Sequence, residues 1–201
     1  MKKIPLQTTF LDALHQLLDL AKQKDRIAIR EIRKILSRRG TEALLAIFSI
    51  PIPIPGLSNL FGIVLALLGF QFAIGKQPWW PKWILNKTVS SFHLESFALK
   101  TIQAIKVLRK VLRPRLSFFI QNPVFYYLNG IVICILACIV ALPIPIPFTN
   151  ILFATPILFM ALGLLEDDGL FVLIGYLIIF FDIFLFTTLF LLLNGAVKGN
   201  I

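Results

Sequence analysis

The same pentapeptide, PIPIP, occurs twice in this 201-residue sequence, and each copy interrupts an apolar stretch. Alternating prolines cannot continue an α-helix, because proline lacks a backbone N–H and fixes φ. We therefore expect a structural break in each half of the chain, with shorter helical segments on either side. The six prolines that form the breaks are Pro51, Pro53, Pro55, Pro143, Pro145 and Pro147.

The composition points to a membrane. Hydrophobic residues make up 58% of the chain, and the mean hydropathy is +0.86. Soluble domains are typically about 45–50% apolar. The excess cannot be buried in a water-soluble core of this size, so lipid must solvate part of it. We predict an all-α integral membrane protein.

The two breaks are embedded in the same sequence plan. Apolar runs before and after each break form two broken hairpins, residues 41–74 and 124–165. The recurrence predicts an internal duplication, with each hairpin either re-entrant or two-pass. In both copies, a hydroxyl residue followed by asparagine opens the helix after the break. These residues are Ser58, Asn59, Thr149 and Asn150.

The remaining segments give a two-part organisation. Residues 1–40 are predicted to form amphipathic helices on the cytoplasmic side, and residues 41–201 the membrane domain. A final apolar segment, residues 170–193, is long enough to cross a membrane with some tilt. The connector at 75–115 is rich in lysine and tryptophan, a composition typical of a membrane interface. The expected interface anchors are Trp79, Trp80 and Trp83.

Hydrophobic periodicity places three amphipathic helices outside the hairpins. The first spans about 7–24, and Asp25-Arg26 ends its pattern. A short basic helix follows at about 28–38, and another basic helix spans about 92–113. These helices are expected to lie on the membrane surface or to dock on the bundle.

The charge distribution predicts orientation. Ten of the 20 Lys and Arg residues lie within 1–40 and nine within 76–115, and the formal net charge is +10. The positive-inside rule places both flanks of the first hairpin in the cytoplasm, and the second hairpin enters from that side. This favours a parallel duplication in a multi-pass inner-membrane protein. Membrane lipids are the expected partners of the basic residues, and nucleic acid is not.

The breaks are the most informative chemical feature. Irregular backbone within hydrocarbon must be buried in protein or line a wet cavity. Broken helices in corresponding halves of a chain indicate a transporter's binding site near the bilayer midplane. One interpretation is that Ser58, Asn59, Thr149 and Asn150 surround a polar or anionic ligand. The alternative is that both breaks are tight turns, with the hydroxyl residues as helix caps.

Other polar residues in apolar surroundings are weaker candidates. Gln71 is placed to hydrogen-bond across the bundle or to contact a ligand. Asp182, within the last apolar segment, is a candidate for a proton or ion role unless it faces a water-filled crevice. The triplet Glu166-Asp167-Asp168 is interpreted as a solvated turn with Asp168 capping the next helix, and a cation site is the alternative.

No catalytic motif is recognisable. The sequence lacks a GxSxG elbow, a P-loop, a dinucleotide fingerprint and an HExxH pair. Cys134 and Cys138 lie four residues apart in an apolar run without nearby ligand partners, so they are interpreted as packing residues. We expect no enzymatic activity, no cofactor and no metal site.

The chain also resembles the ExoD family. The resemblance covers about residues 25–195 and keeps the family's order. The residues that carry it are Arg39-Gly40, Gly69-Phe70-Gln71, Pro78-Trp79, Arg113-Pro114-Arg115, Asn150, Ala161–Leu165 and Glu166-Asp167-Asp168-Gly169. The resemblance implies a role in exopolysaccharide synthesis and, in some bacteria, alkaline tolerance. It implies no settled reaction, and Asp182 has no counterpart in the family pattern.

Two functional hypotheses follow. The first is a small permease, which could form a homodimer, for an ion or a polyprenyl-linked saccharide, with its site at the two breaks. The second is a non-transporting membrane adaptor that organises polysaccharide machinery through its basic cytoplasmic surface. The first predicts a wet cavity at the breaks, whereas the second predicts packed loops there.

Overall fold

A computed structural model describes residues 10–50, 57–75, 85–110, 112–113, 115–116, 118–142 and 149–198. Both proline breaks and the three tryptophans lie outside these residues, so the predictions made for them are not addressed. In the described chain, eight helices and one two-stranded ribbon occur in the order α1 (Phe10–Gln23), β1 (Arg26–Ala28), α2 (Ile29–Phe48), α3 (Leu57–Ala73), β2 (Thr88–Ser90), α4 (Ser91–Leu108), α5 (Phe118–Gln121), α6 (Pro123–Ala141), α7 (Thr149–Leu165) and α8 (Gly169–Lys198).

The all-α prediction holds for the bulk of the fold. Helix α3 ends at Ala73, α6 begins at Pro123 and α7 ends at Leu165, each within one residue of the predicted hairpin limits. The exception is the antiparallel ribbon, in which Ile27 of β1 pairs with Val89 of β2. It forms at the point where Asp25-Arg26 ends the first helical pattern, and it ties the start of α2 to the start of α4.

Helix α2 corrects one prediction. The sequence suggested a short helix at about 28–38 and a separate apolar run after Gly40, but α2 is continuous from Ile29 to Phe48. A single glycine inside a helix costs only about 1 kcal/mol, which tertiary contacts can offset. Here Arg39 and Glu42, on either side of Gly40, are both buried and paired. The basic amphipathic part and the apolar part of the first hairpin are therefore one helix.

Helix α4 ends earlier than predicted, at Leu108 rather than near residue 113. The backbone N–H of Arg113 donates to the carboxylate of Asp168 instead of to a helical carbonyl. A proline at the next position also disfavours helical geometry at Arg113. The chain that follows α4 is thereby fixed against the turn that precedes α8.

The core of the bundle is the close contact between α3 and α6. They run antiparallel, with Gly62 against Ala141 and Gly69 against Cys134. A Cβ on Gly130 would lie 2.6 Å from the backbone N and Cα of Ala73. Small residues allow this approach of two backbones, a common way to pack helices in membranes.

The other helices complete the bundle around this pair. Helix α2 packs on α7, and α7 packs along α8. Amphipathic helix α1 lays Phe10, Leu14 and Leu17 against α4. The second helix of each predicted hairpin thus packs against the first helix of the other.

Two described helices are long and apolar enough to cross a membrane, namely Pro123–Ala141 and the Gly169–Leu192 part of α8. The later turns of α8 expose large apolar side chains, including Phe180 at 72% and Phe190 at 64%. Such a dense apolar surface is unfavourable in water and suits contact with lipid. These features indicate membrane association.

Candidate functional site

The asparagines that follow the two breaks meet. The Nδ2 atom of Asn150 donates a hydrogen bond to Oδ1 of Asn59 over 3.3 Å, and both residues are half-buried. An amide carries two donor hydrogens and an acceptor oxygen, so this bond leaves Asn59 Nδ2 and Asn150 Oδ1 able to bind a further group. The arrangement joins the first turn of α3 to the first turn of α7, directly beside both breaks.

The other predicted polar residues are distributed unequally around this pair. Thr149 is buried at the first position of α7, next to Asn150. The side chain of Ser58 lies outside the described structure. Gln71 lies near the opposite end of α3, about 18 Å along the axis from Asn59 at the usual helical rise. The structure therefore does not bring Gln71 to the amide pair.

Asp182 is a buried carboxylate without a hydrogen-bond partner among the described residues. Its side chain is 1% exposed. On α8 it lies between Gly175, which faces Pro156, and Phe186, whose ring stacks on Phe153. Asp182 is thus level with the N-terminal half of α7, the half that carries Asn150.

A second polar contact crosses the apolar bundle. The hydroxyl of Tyr176 on α8 donates to Oδ1 of Asn129 on α6 over 2.7 Å, and Asn129 is buried. Sequence reasoning missed this pair. The available signal was an amide in the middle of an apolar run, where an unpaired polar group would be costly.

A buried ionic cluster lies at the other end of α7. Arg39, 5% exposed, pairs with Glu42, which is 0% exposed, at 3.1 Å. Its guanidinium also donates to the carbonyls of Leu164 and Leu165, at 2.9 and 3.0 Å, and to Asp167. Those carbonyls are the unsatisfied acceptors at the end of a helix, so Arg39 caps α7 from another element.

The turn after α7 is shaped to receive this arginine. Asp167 has a φ of 56°, and the Asp168 N–H donates to the carbonyl of Gly163 at 2.8 Å. Together these form a Schellman-type helix end, in which one residue adopts the left-handed conformation. The turn directs the Asp167 carboxylate toward Arg39.

The remaining two carboxylates of the triplet have separate partners. Arg109 Nε donates to Glu166 at 2.6 Å. Asp168 accepts from the Leu170 N–H at 3.1 Å, as the predicted cap of α8, and from the Arg113 N–H at 2.9 Å. The prediction of a solvated turn is wrong, since Glu166 and Asp168 are buried. The cation alternative is not needed, because arginines and backbone N–H groups already bind these carboxylates.

The electrostatics of the cluster follow from its burial. Burial lowers the pKa of Arg39, but Glu42 and Asp167 outweigh it and hold the pKa above its usual value, so the guanidinium stays charged. Burial raises the pKa of Glu166, and the opposing effects of Arg109 and Arg39 do not fully cancel this shift. The cluster ties α2, α4 and the α7–α8 turn together, which is a structural role.

The chain is similar to a known protein family and to two known proteins. The family model described as "Exopolysaccharide synthesis, ExoD" matches residues 10–188. Protein ExoD of Rhizobium meliloti is 31% identical over 155 residues, which are 75% of this chain and 65% of that protein. The chain therefore matches slightly less than two thirds of the length of that relative.

A second relative extends the comparison to another bacterial group. An uncharacterized protein of Synechocystis is 29% identical over 151 residues, covering 74% of this chain and 70% of that protein. No solved structure matches the chain. Because the family model spans most of the chain, the protein belongs to the ExoD family of exopolysaccharide synthesis proteins.

Proposed function

We propose that this protein is a small multi-pass permease of the bacterial inner membrane. Its cargo is an ion or a polyprenyl-linked saccharide used in exopolysaccharide production, and its site lies where the two proline-broken halves meet. The observation that carries the proposal is the contact between Asn59 and Asn150. Equivalent residues of the two halves converge there, as expected for a duplicated transporter with a shared site.

Asp182 adds a reason for ion coupling. A carboxylate on a membrane-crossing helix is costly unless it is paired, and the described chain supplies no partner for it. Its level on α8 puts it in the same half of the bundle as Asn150. A proton or a cation bound there would compensate the charge, and its release would give the cycle a coupling step.

The direct test is flux into proteoliposomes. Purified protein is reconstituted, and uptake of polyprenyl phosphate is measured with sodium and proton gradients applied side by side. Transport that depends on protein and on one gradient supports the proposal. If neither the lipid nor either ion moves, the protein is not a permease, and the adaptor hypothesis takes its place.

Removing either amide should separate function from stability. Because Asn59 and Asn150 are half-buried, Asn59→Ala or Asn150→Ala should cost only about 0.5–1.5 kcal/mol of unfolding free energy. We expect flux, or complementation of exopolysaccharide production, to be lost nonetheless. Gln103→Ala, which removes an exposed amide on α4, is the matched control. A large loss of thermal stability with flux retained would make the pair structural.

Asp182→Asn should affect function and stability in opposite directions. The substitution keeps the shape of the side chain and removes a buried, unpaired charge, so the melting temperature in detergent should be equal or higher. Gradient-driven flux should be abolished, because the amide cannot take up a proton or balance a cation. Asp19→Asn, at an exposed site on α1, controls for the loss of one charge. Wild-type flux in Asp182→Asn would exclude a coupling role.

A further inference from the structure

An elongated apolar cavity of about 540 Å³ lies between α1, α2, α4 and α7. Its volume is within the roughly 300–1,000 Å³ range of sites that bury small ligands. Along α2 it is lined from Ile29 to Ile47, a length of about 27 Å at the usual helical rise. Leu158 and Leu162 of α7 line it as well, so it extends into the apolar bundle.

The cavity also carries positive charge. Arg33 of α2 and Lys100 of α4 are among its lining residues, and the lining contains no Asp or Glu. Neither cation forms an ion pair within the part of the chain that the structure describes. Lys100 is exposed and Arg33 half-buried, so both can reach a charged group at the surface. A long apolar cavity with two cations that no described carboxylate pairs with is complementary to an anionic amphiphile.

The shape of the cavity further limits the kind of ligand that fits. The cavity is long and lies along one helix, and its volume suits one hydrocarbon chain better than two. Ile47, at 50% exposure, and Phe97, at 56%, leave apolar surface open beside it, so a chain could enter sideways from a bilayer. We propose that this cavity binds a lipid with one long hydrocarbon chain and a phosphate headgroup, the phosphate lying against Arg33 and Lys100.

This site is distinct from the one proposed for transport. The amide pair connects α3 and α7 beside the breaks, whereas the cavity lies among α1, α2, α4 and α7 and includes neither asparagine. Lipid binding would therefore persist in a protein that does not transport. The two proposals can fail separately, because one is tested by binding and the other by flux.

Native mass spectrometry of the full chain in detergent provides the test, with three probes. Hexadecyl phosphate has one chain and a phosphate, hexadecanol has the same chain without charge, and phosphatidylglycerol has two chains and a phosphate. Hexadecyl phosphate should bind best. Arg33→Ala and Lys100→Ala should each weaken its binding about five-fold and leave hexadecanol unaffected. Lys106→Ala, which removes an exposed cation outside the cavity, is the control and should bind like wild type.

A blocking variant tests the chain-binding part of the cavity. Ala104 lines the cavity and is exposed, so Ala104→Trp should place an indole in part of the cavity without disturbing the core. Binding of both hexadecyl phosphate and hexadecanol should then weaken, while the melting temperature stays near that of wild type. Three results would each overturn the proposal: hexadecyl phosphate binding no better than hexadecanol, phosphatidylglycerol binding best, or an equal loss in Lys106→Ala.

Discussion

Replacing Arg39 with methionine is expected to lower the free energy of unfolding by about 3–5 kcal/mol. The substitution keeps most of the side-chain length but removes the guanidinium that pairs with Glu42, which is fully buried. It also leaves the carbonyls of Leu164 and Leu165 without the donor that caps α7. A loss of this size is a large part of the roughly 5–15 kcal/mol that stabilises a typical domain, so accumulation in cells should fall sharply.

Thermal melting in detergent, read by size-exclusion chromatography, measures the effect. Arg30→Met is the matched control, because Arg30 is exposed on the same helix and donates to the side chain of Asn86, so its loss should cost less than about 1 kcal/mol. Adding Glu42→Gln to Arg39→Met should restore part of the stability, since it removes the buried charge that Arg39 no longer pairs with. If Arg39→Met melts like Arg30→Met, the buried cluster does not hold α2 to α7.

Much of the fold was predictable because it depends on local pattern. Apolar run lengths set α3, α6 and α7, and the recurrence of a hydroxyl–asparagine pair after each break identified Asn59 and Asn150 before any contact between them was known. The continuity of α2 was not predictable, because it depends on Arg39 reaching Asp167, a residue 128 positions away. The ribbon was missed for a similar reason, since β1 and β2 are three-residue strands that are regular only as a pair.

The burial of the ionic cluster could not be predicted from the sequence. Three consecutive acids and a glycine read locally as a solvated turn, and the Asp168 cap follows correctly from that reading. The burial of Glu166 and its contact with Arg109 depend on how α4 lies over the α7–α8 turn, which no local pattern encodes. Arg39 and the acidic triplet are two of the separate stretches that carry the family resemblance, and the structure brings these two into contact.

The close backbone contact between α3 and α6 should tolerate added volume poorly. In Gly130→Ala, the new Cβ would lie 2.6 Å from the backbone of Ala73 and 2.9 Å from the Phe72 ring. Backbone atoms cannot rotate away, so α3 and α6 must separate along their length. Overpacking typically costs about 1–3 kcal/mol of stability. A clash with backbone atoms should cost at least the upper value of this range, because the backbone cannot move aside. We expect a loss of about 3 kcal/mol, despite the higher helix propensity of alanine.

The control for this substitution is its neighbour on the same helix. Ile131 is 48% exposed, so Ile131→Phe adds a volume comparable to that of Gly130→Ala but directs it away from α3. Its stability should stay within about 0.5 kcal/mol of wild type. Gly69→Ala tests the same α3–α6 contact about one helical turn away, where the new Cβ would lie 2.9 Å from the backbone N of Cys134. Its loss of stability should be somewhat smaller than that of Gly130→Ala. If Gly130→Ala and Ile131→Phe have the same melting temperature, α3 and α6 can separate without loss of stability. The close packing of α3 on α6 would then not be what holds the two halves of the chain together.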